Sequence, residues 1–255
     1  MIDLFSDLSV YQYGYAMLMV GVAGMIHGAL GMAFPMVATP LIAILLDVRL
    51  AILLTLLPTA TVNVASIVGS HNYVDLLQKY WPLFVSALLG TILGSYLLAR
   101  FDPDPFRLAL AVLILISPLT AVFHRFTQRV ISRHPVMLMV VFGFLAGVSA
   151  GTTNVMLAIL IVYLLALGLS REQMIPILNT CFLTGKLTQI IALSVAGLVS
   201  LHLLYQTVPL AVMSLLTLMV GKHLGRNISA KQFRKILTGV LAGLACVLIY
   251  QFFAT

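Results

Sequence analysis

Long apolar stretches separated by short polar ones fill the chain. They predict ten helical segments, at roughly 11–31, 34–47, 49–70, 77–100, 105–123, 136–150, 153–168, 171–197, 203–224 and 235–253. A simple span needs about 20 apolar residues. Segments 34–47, 136–150 and 153–168 fall short of that, and each borders one of two interruptions. The clearer interruption is Gly143 to Asn154, GFLAGVSAGTTN. Gly143, Gly147 and Gly151 recur every four residues, on one helix face that another backbone can approach closely. Thr152, Thr153 and Asn154 follow, and side-chain oxygens of this kind cap helix starts. The pattern therefore predicts a helix ending near Ala150 and a new one starting near Val155. A twin lies earlier, where Gly21, Gly24, Gly28 and Gly31 precede Pro35, a residue suited to a first helical turn. Non-helical backbone at membrane depth survives only where it is buried in protein or lines a watery cavity. The short segments read as half-helices of re-entrant hairpins or as short tilted spans.

The pattern also repeats. Met17-Leu18-Met19-Val20 recurs as Met137-Leu138-Met139-Val140, and a Gly-rich stretch follows each copy. Pro82, Gly94 and Phe106-Arg107 return as Pro209, Gly221 and Phe233-Arg234 at a constant offset of 127. Residues 1–123 and 136–255 thus form two membrane repeats, joined by the basic linker 124–135 (HRFTQRVISRHP). Five segments per repeat is an odd number, so the repeats are expected to lie in opposite orientations. Inverted repeats of this kind characterise transporters whose binding site lies where the repeats meet. The fold class expected is an all-α polytopic membrane protein made of two inverted repeats of five helical segments. Each repeat would begin with a Gly-rich broken or re-entrant helix pair.

Composition removes the alternatives. Of 255 residues, 62% are hydrophobic and 8% charged, against about 25% charged in soluble domains. A membrane β-barrel would show short alternating segments instead of these long runs. The net charge of +7 does not indicate nucleic acid, because the basic residues sit in short loops between apolar segments. With the linker taken as cytoplasmic, ten Lys and Arg residues fall in inside loops and three in outside loops, which predicts both termini outside. Cys181 and Cys246 lie in apolar segments and read as buried thiols without a disulfide. The start, MIDLFSDLSVYQYG, has no basic residue and does not resemble a cleaved signal peptide.

Polar residues at depth carry the candidate chemistry. All seven acids lie at segment ends or in loops, so an intramembrane carboxylate for protons or cations is missing from the pattern. Lys186 is the clearest charge within a segment, and intramembrane ionisable residues are functional-site candidates. Its bland alternative is snorkelling along the apolar stem, which reaches poorly from mid-segment. Around it stand Asn179, Thr180, Thr184 and Gln189, with Asn179 two turns away on nearly the same face. The matching segment of the first repeat carries Pro58, expected to kink the helix, with Thr59, Thr61 and Asn63. Asn63 reads equally as a lining residue or as one interhelical hydrogen bond. His27 reads as a proton carrier or as a neutral ring bonded to nearby backbone.

The candidate anion site comprises Lys186, Asn63, Thr152, Thr153, Asn154, Asn179 and His27. Its helix-break glycines are Gly28, Gly31, Gly147 and Gly151. It is placed at the starts of the helices beginning at Pro35 and Val155, whose positive ends suit an anion. Gly147-Val148-Ser149-Ala150-Gly151 matches the G-x-S-x-G hydrolase pattern but lacks a strand or a deep His in its repeat, so no enzyme is expected. No Walker or zinc-protease motif occurs. The partners expected are a small anionic substrate and the lipid bilayer, without nucleic acid, cofactor or metal, and a homodimer stays open.

The chain resembles the TauE/SafE family of sulfite exporters, also called the toluene-sulfonate uptake permease family. The resemblance rests on GVAGMIHGALGMAFPMVATPLIAILL followed by LTLLPTATVNVAS, and on GFLAGVSAGTTNVMLAILIVYLL followed by ILNTCFLTGKLTQ. Where family members carry a run of glycines, this chain has Met32-Ala33-Phe34 and Thr152-Thr153-Asn154. The resemblance implies a secondary transporter, by expectation an exporter in a bacterial inner membrane, for a small sulfur-containing anion such as sulfite or an organosulfonate. A passive anion channel and a carrier for a non-sulfur organic anion are the alternatives.

Overall fold

The computed structural model describes residues 8–68, 73–102 and 134–225, with isolated positions at 105–112 and 239. All regular structure among the described residues is helical. The helices are α1 (Val10–Leu30), α2 (Phe34–Ala43), α3 (Val48–Leu54), α4 (Leu56–Ile67) and α5 (Tyr73–Arg100). They continue with α6 (Pro135–Thr153), α7 (Leu157–Ala166), α8 (Arg171–Val195), α9 (Leu201–Gln206) and α10 (Val208–Leu224). The segments expected at 105–123 and 235–253, most of the linker and Cys246 lie outside the described residues.

Among the described residues, five stretches are long and apolar enough to cross a membrane: α1, α5, α6, α8 and α9–α10 taken together. Counted as one span, the bent pair α3–α4 is a sixth. The outer surface carries exposed Trp81, Leu89, Leu93, Met137, Val141, Leu216 and Met219. Buried Asn63, Asn179, Lys186 and Gln189 lie inside. An apolar exterior around a polar interior is what lipid as the surrounding solvent demands. The chain is therefore a multi-pass membrane protein.

Proline explains where helices bend. Segment 49–70, expected as one kinked helix, is two helices with a 47° bend. The break falls at Thr55, because the Pro58 ring meets the carbonyl four residues back, at Leu54, where α3 ends. The sequence-matched Pro82 and Pro209 act alike. Two residues before Pro82, Tyr80 has non-helical backbone (φ −107°, ψ 16°), and two residues before Pro209, Thr207 is the cap residue at which α9 gives way to α10. Segment 203–224 is accordingly divided into α9 and α10. Segment 136–150, expected to be too short to cross, extends to 19 residues as α6. Pro135 starts it, and the threonines expected to begin the next helix instead complete this one.

Helix pairing is reciprocal between the chain halves: α1 packs on α10, and α6 on α5. Both pairs run parallel along glycine faces. A Cβ on Gly143, Gly147 or Gly151 would collide in turn with Ser86, the Ala87 carbonyl and the Ser95 amide of α5. One on Gly24 or Gly28 would collide with Thr217 or the Leu218 carbonyl of α10. The central contact joins α4 to α8. At one end of the bundle Arg171 donates to the Ala29 and Leu30 carbonyls, and Lys222 to that of Ala65. At the other, Arg49 donates to the Phe101 carbonyl and the Tyr13 hydroxyl to that of Gln206. Helices α1, α4 and α10 thus point one way, and α5, α6 and α8 the other.

The short helices fold back. Tyr15 donates to the Leu41 carbonyl (2.7 Å), so α2 returns along α1. Tyr163 donates to the Pro135 carbonyl (3.3 Å), so α7 returns along α6. Each pair is a hairpin that comes back to the end it started from. Helix α2 is buried at every residue but Leu41, which gives its irregular entry the protein surroundings that non-helical backbone at depth requires.

Candidate functional site

The two hairpin turns are built differently from similar backbone. Helix α1 ends at Gly31 in the left-handed region (φ 78°), and Ala33 is left-handed too (φ 86°). Helix α6 ends at Asn154, also left-handed (φ 67°). Asn is the residue that most often replaces Gly in this helix-ending role. The expected cap positions are therefore corrected. Thr152 and Thr153 lie in the last turn of α6, with hydroxyls donating back to the Val148 and Ser149 carbonyls (2.9 Å each). Helix α7 starts at Leu157, two residues after Val155, and no side chain caps it. Polar side chains satisfied by their own helix need not open a new one.

Each turn is tied down from outside. At the first, His27 is fully buried, its Nδ1 accepting from the Phe34 amide (3.2 Å) and its Nε2 paired with the Ser66 hydroxyl (2.9 Å). An amide donor requires a lone pair on Nδ1, so in the neutral ring Nε2 carries the proton and donates. The histidine thus caps the start of α2 and links it to α4. Asn179 Nδ2 donates to the Gly31 carbonyl (2.7 Å) and to that of Ile175 (2.8 Å). At the second turn, Asn154 Nδ2 donates to Thr39 (2.7 Å) and Thr55 (3.1 Å), joining it to α2 and the α3–α4 break. Ser149 donates to the Val155 carbonyl (2.8 Å). That serine lies inside a helix with its proton committed across the turn, far from the strand-to-helix elbow that G-x-S-x-G needs.

Helix α8 touches both turns. Gln189 Nε2 donates to the Gly151 carbonyl (3.0 Å), as Asn179 does to that of Gly31. Ten residues separate the two amides, about 15 Å along the axis. Gln189 also accepts, at Oε1, from Lys186 Nζ (2.5 Å). The Lys186 side chain is 4% exposed, and Gln189 is its hydrogen-bond partner among the described residues. A buried ammonium facing a neutral amide lacks charge compensation, and that is costly in a low-dielectric interior.

A small cavity lies beside it, of about 10 Å³, room for about one water. It is lined by Lys186, Gln189 and Phe182 of α8, Ala150 and Asn154 at the second turn, Thr59 of α4, and Pro35 and Met156. Pro35 is the second residue of α2, and Met156 is the cap residue of α7. The starts of both short helices therefore face the ammonium. Each helix start contributes roughly half a positive charge.

Of the residues expected at an anion site, Lys186 and Asn154 line this cavity. Thr152 and Thr153 lie in the last turn of α6, between the lining residues Ala150 and Asn154, and do not line it themselves. Asn63 is fully buried on α4, while His27 and Asn179 are engaged at the first turn. Cys181 is a buried free thiol in α8. Gln189 and Thr59 were legible only as polar neighbours. Gln189's link to Gly151 spans 38 residues of sequence and has no local signature.

No curated protein and no solved structure matches the chain. A family model described as sulfite exporter TauE/SafE matches residues 16–248, which include both hairpins, the paired glycine faces and the cavity between them. With nearly its whole length covered by that match, the chain belongs to the TauE/SafE sulfite exporter family, a family of membrane transporters.

Proposed function

We propose that this chain exports a small sulfur-containing oxyanion, such as sulfite or an organosulfonate, across a bacterial inner membrane by alternating access. The observation that carries the reading is Lys186, an amine buried inside the bundle without a carboxylate partner among the described residues, at a cavity shared by two helix starts. An anion arriving there supplies the missing charge. Binding then neutralises the site and offsets the cost of burying the lysine. Ala150 and Asn154 bring the end of α6 to the same cavity, so ligand and second hairpin are mechanically joined.

Reciprocal pairing and reversed helix directions support an inverted-repeat arrangement, 1–123 against 136–255, with the site at their junction. Room for about one water is too little for an anion of four or more heavy atoms. Substrate access then requires movement of the bundle, which favours a carrier over a standing pore. The test is counterflow in proteoliposomes. Labelled sulfite uptake accelerated by unlabelled sulfite on the opposite side supports a carrier; flux indifferent to it refutes one.

For orientation, the basic bundle end with Arg171 and Lys222 faces the cytoplasm in this reading, and both termini lie outside. Thr127→Cys and Ser229→Cys should label only from the cytoplasm, and Ser200→Cys only from outside. Labelling of Thr127→Cys in intact cells reverses the orientation.

A further inference from the structure

Helix α4 carries polar atoms that nothing among the described residues satisfies. Asn63 is 0% exposed, and neither its Oδ1 nor its Nδ2 has a hydrogen-bond partner among the described residues. Thr59, one turn earlier, is equally buried, and its hydroxyl is also without a partner. The two are four residues apart and so share a face. Thr59 lines the Lys186 cavity, which places that face towards α8. The other buried side-chain atoms without a partner among the described residues, Arg49 Nε, Ser95 Oγ and Asn179 Oδ1, lie singly on three different helices. Thr59 and Asn63 are two such residues on one face of one helix, beginning at the cavity wall.

An amide unpartnered inside a membrane bundle is costly, and an apolar side chain of the same size would avoid the cost. A group retained under that penalty is accounted for if it has a partner in another step of the cycle. The free atoms include the Asn63 N–H₂ and the Thr59 O–H, both donors, and donors suit an oxyanion. Asn63 lies about 6 Å beyond Thr59 along α4, from a rise of 1.5 Å per residue. That displacement leads away from the Pro58 break, towards the end where Lys222 and Arg171 cluster and where Ser66 meets His27.

We propose that Thr59 and Asn63 form a second, uncharged station for the transported oxyanion, next to Lys186 on the side of the Arg171–Lys222 end. The anion rests on neutral donors there before or after it pairs with the ammonium. A neutral station binds weakly, and a weak station beside a strong one lets the ion leave the strong one. The proposal rests on the Lys186 reading and adds to it a direction and two residues.

The experiment compares Asn63→Leu and Thr59→Val with wild type and with Lys186→Met, using sulfite as the probe. Sulfite affinity is read by thermal shift on purified protein, and flux in proteoliposomes. Asn63→Leu removes the unsatisfied amide at similar volume. It should leave the ligand-free melting temperature equal or higher and sulfite affinity within about threefold. Flux should fall at least tenfold, the equivalent of one hydrogen bond to a charged group. Thr59→Val should lower flux in the same direction, and it covers the case in which the leucine variant does not fold. Normal flux in either folded variant overturns the second station. If Lys186→Met loses sulfite binding while both α4 variants transport normally, the station fails and the Lys186 site stands. If Lys186→Met binds sulfite like wild type, the Lys186 site fails, and this proposal with it.

Discussion

The two hairpin turns start from similar backbone and end in different chemistry. At the first, a buried histidine caps the incoming helix and pins it to Ser66. Both ring nitrogens are used, and the turn is closed by neutral groups. At the second, α7 has no side-chain cap, and Ala150 and Asn154 border a cavity with a buried ammonium. The difference separates what the two halves share from what one of them has alone. Glycine faces and left-handed helix ends recur in both halves because packing demands them. Among the described residues, a buried lysine occurs in one half only, on α8, where α4 offers Thr59 and Asn63.

The comparison can be broken most severely at the shared architecture. Gly147→Leu should abolish folded protein, because its side chain would enter the Ala87 carbonyl. Ordinary overpacking costs about 1–3 kcal/mol, and backbone yields less than side chains do. Gly28→Leu should fail equally against the Leu218 carbonyl. Normal expression of either, followed by detergent-stable purification, would show that the parallel glycine-faced pairs are not what holds the bundle. A smaller effect separates the turns. His27→Ala leaves the Phe34 amide and the Ser66 hydroxyl unpaired, a loss of ~1–3 kcal/mol for a buried group. Melting temperature should drop while sulfite affinity holds. An unchanged melting point with lost affinity would move His27 into the site. Smallest of all is Ser149→Ala, which removes one hydroxyl bond across the second turn. It should cost about 1 kcal/mol of stability and leave transport intact. Loss of all activity in a stably folded Ser149→Ala protein would reopen an enzymatic reading.

Much of this architecture is legible from spacing alone. Glycines every four residues mark faces where backbones meet, whatever the partner. Matched prolines mark matched interruptions: Tyr80, two residues before Pro82, is non-helical, and α9 gives way to α10 at Thr207, two residues before Pro209. The register of the second turn was less legible. Threonine can cap the next helix or bond back to its own, and Thr152 and Thr153 take the second course. Asn154 carried the better signal, since asparagine tolerates the left-handed geometry that ends a helix. In the site, Lys186 stood out because charge is rare at depth. The pairing of Gln189 with Gly151 and the isolation of Asn63 depend on which helices meet. That is a three-dimensional fact with no sequence period behind it.

The most direct test of the account is sulfite binding by Lys186→Met, measured beside wild type and His27→Ala. Methionine keeps most of the apolar stem and removes the charge. Affinity should weaken by about 2–5 kcal/mol if the ion pair is desolvated, with folding retained, while His27→Ala binds as wild type does. Lys186→Met protein that binds and transports sulfite at the wild-type level would contradict the account, and would place the anion somewhere other than the cavity beside α8.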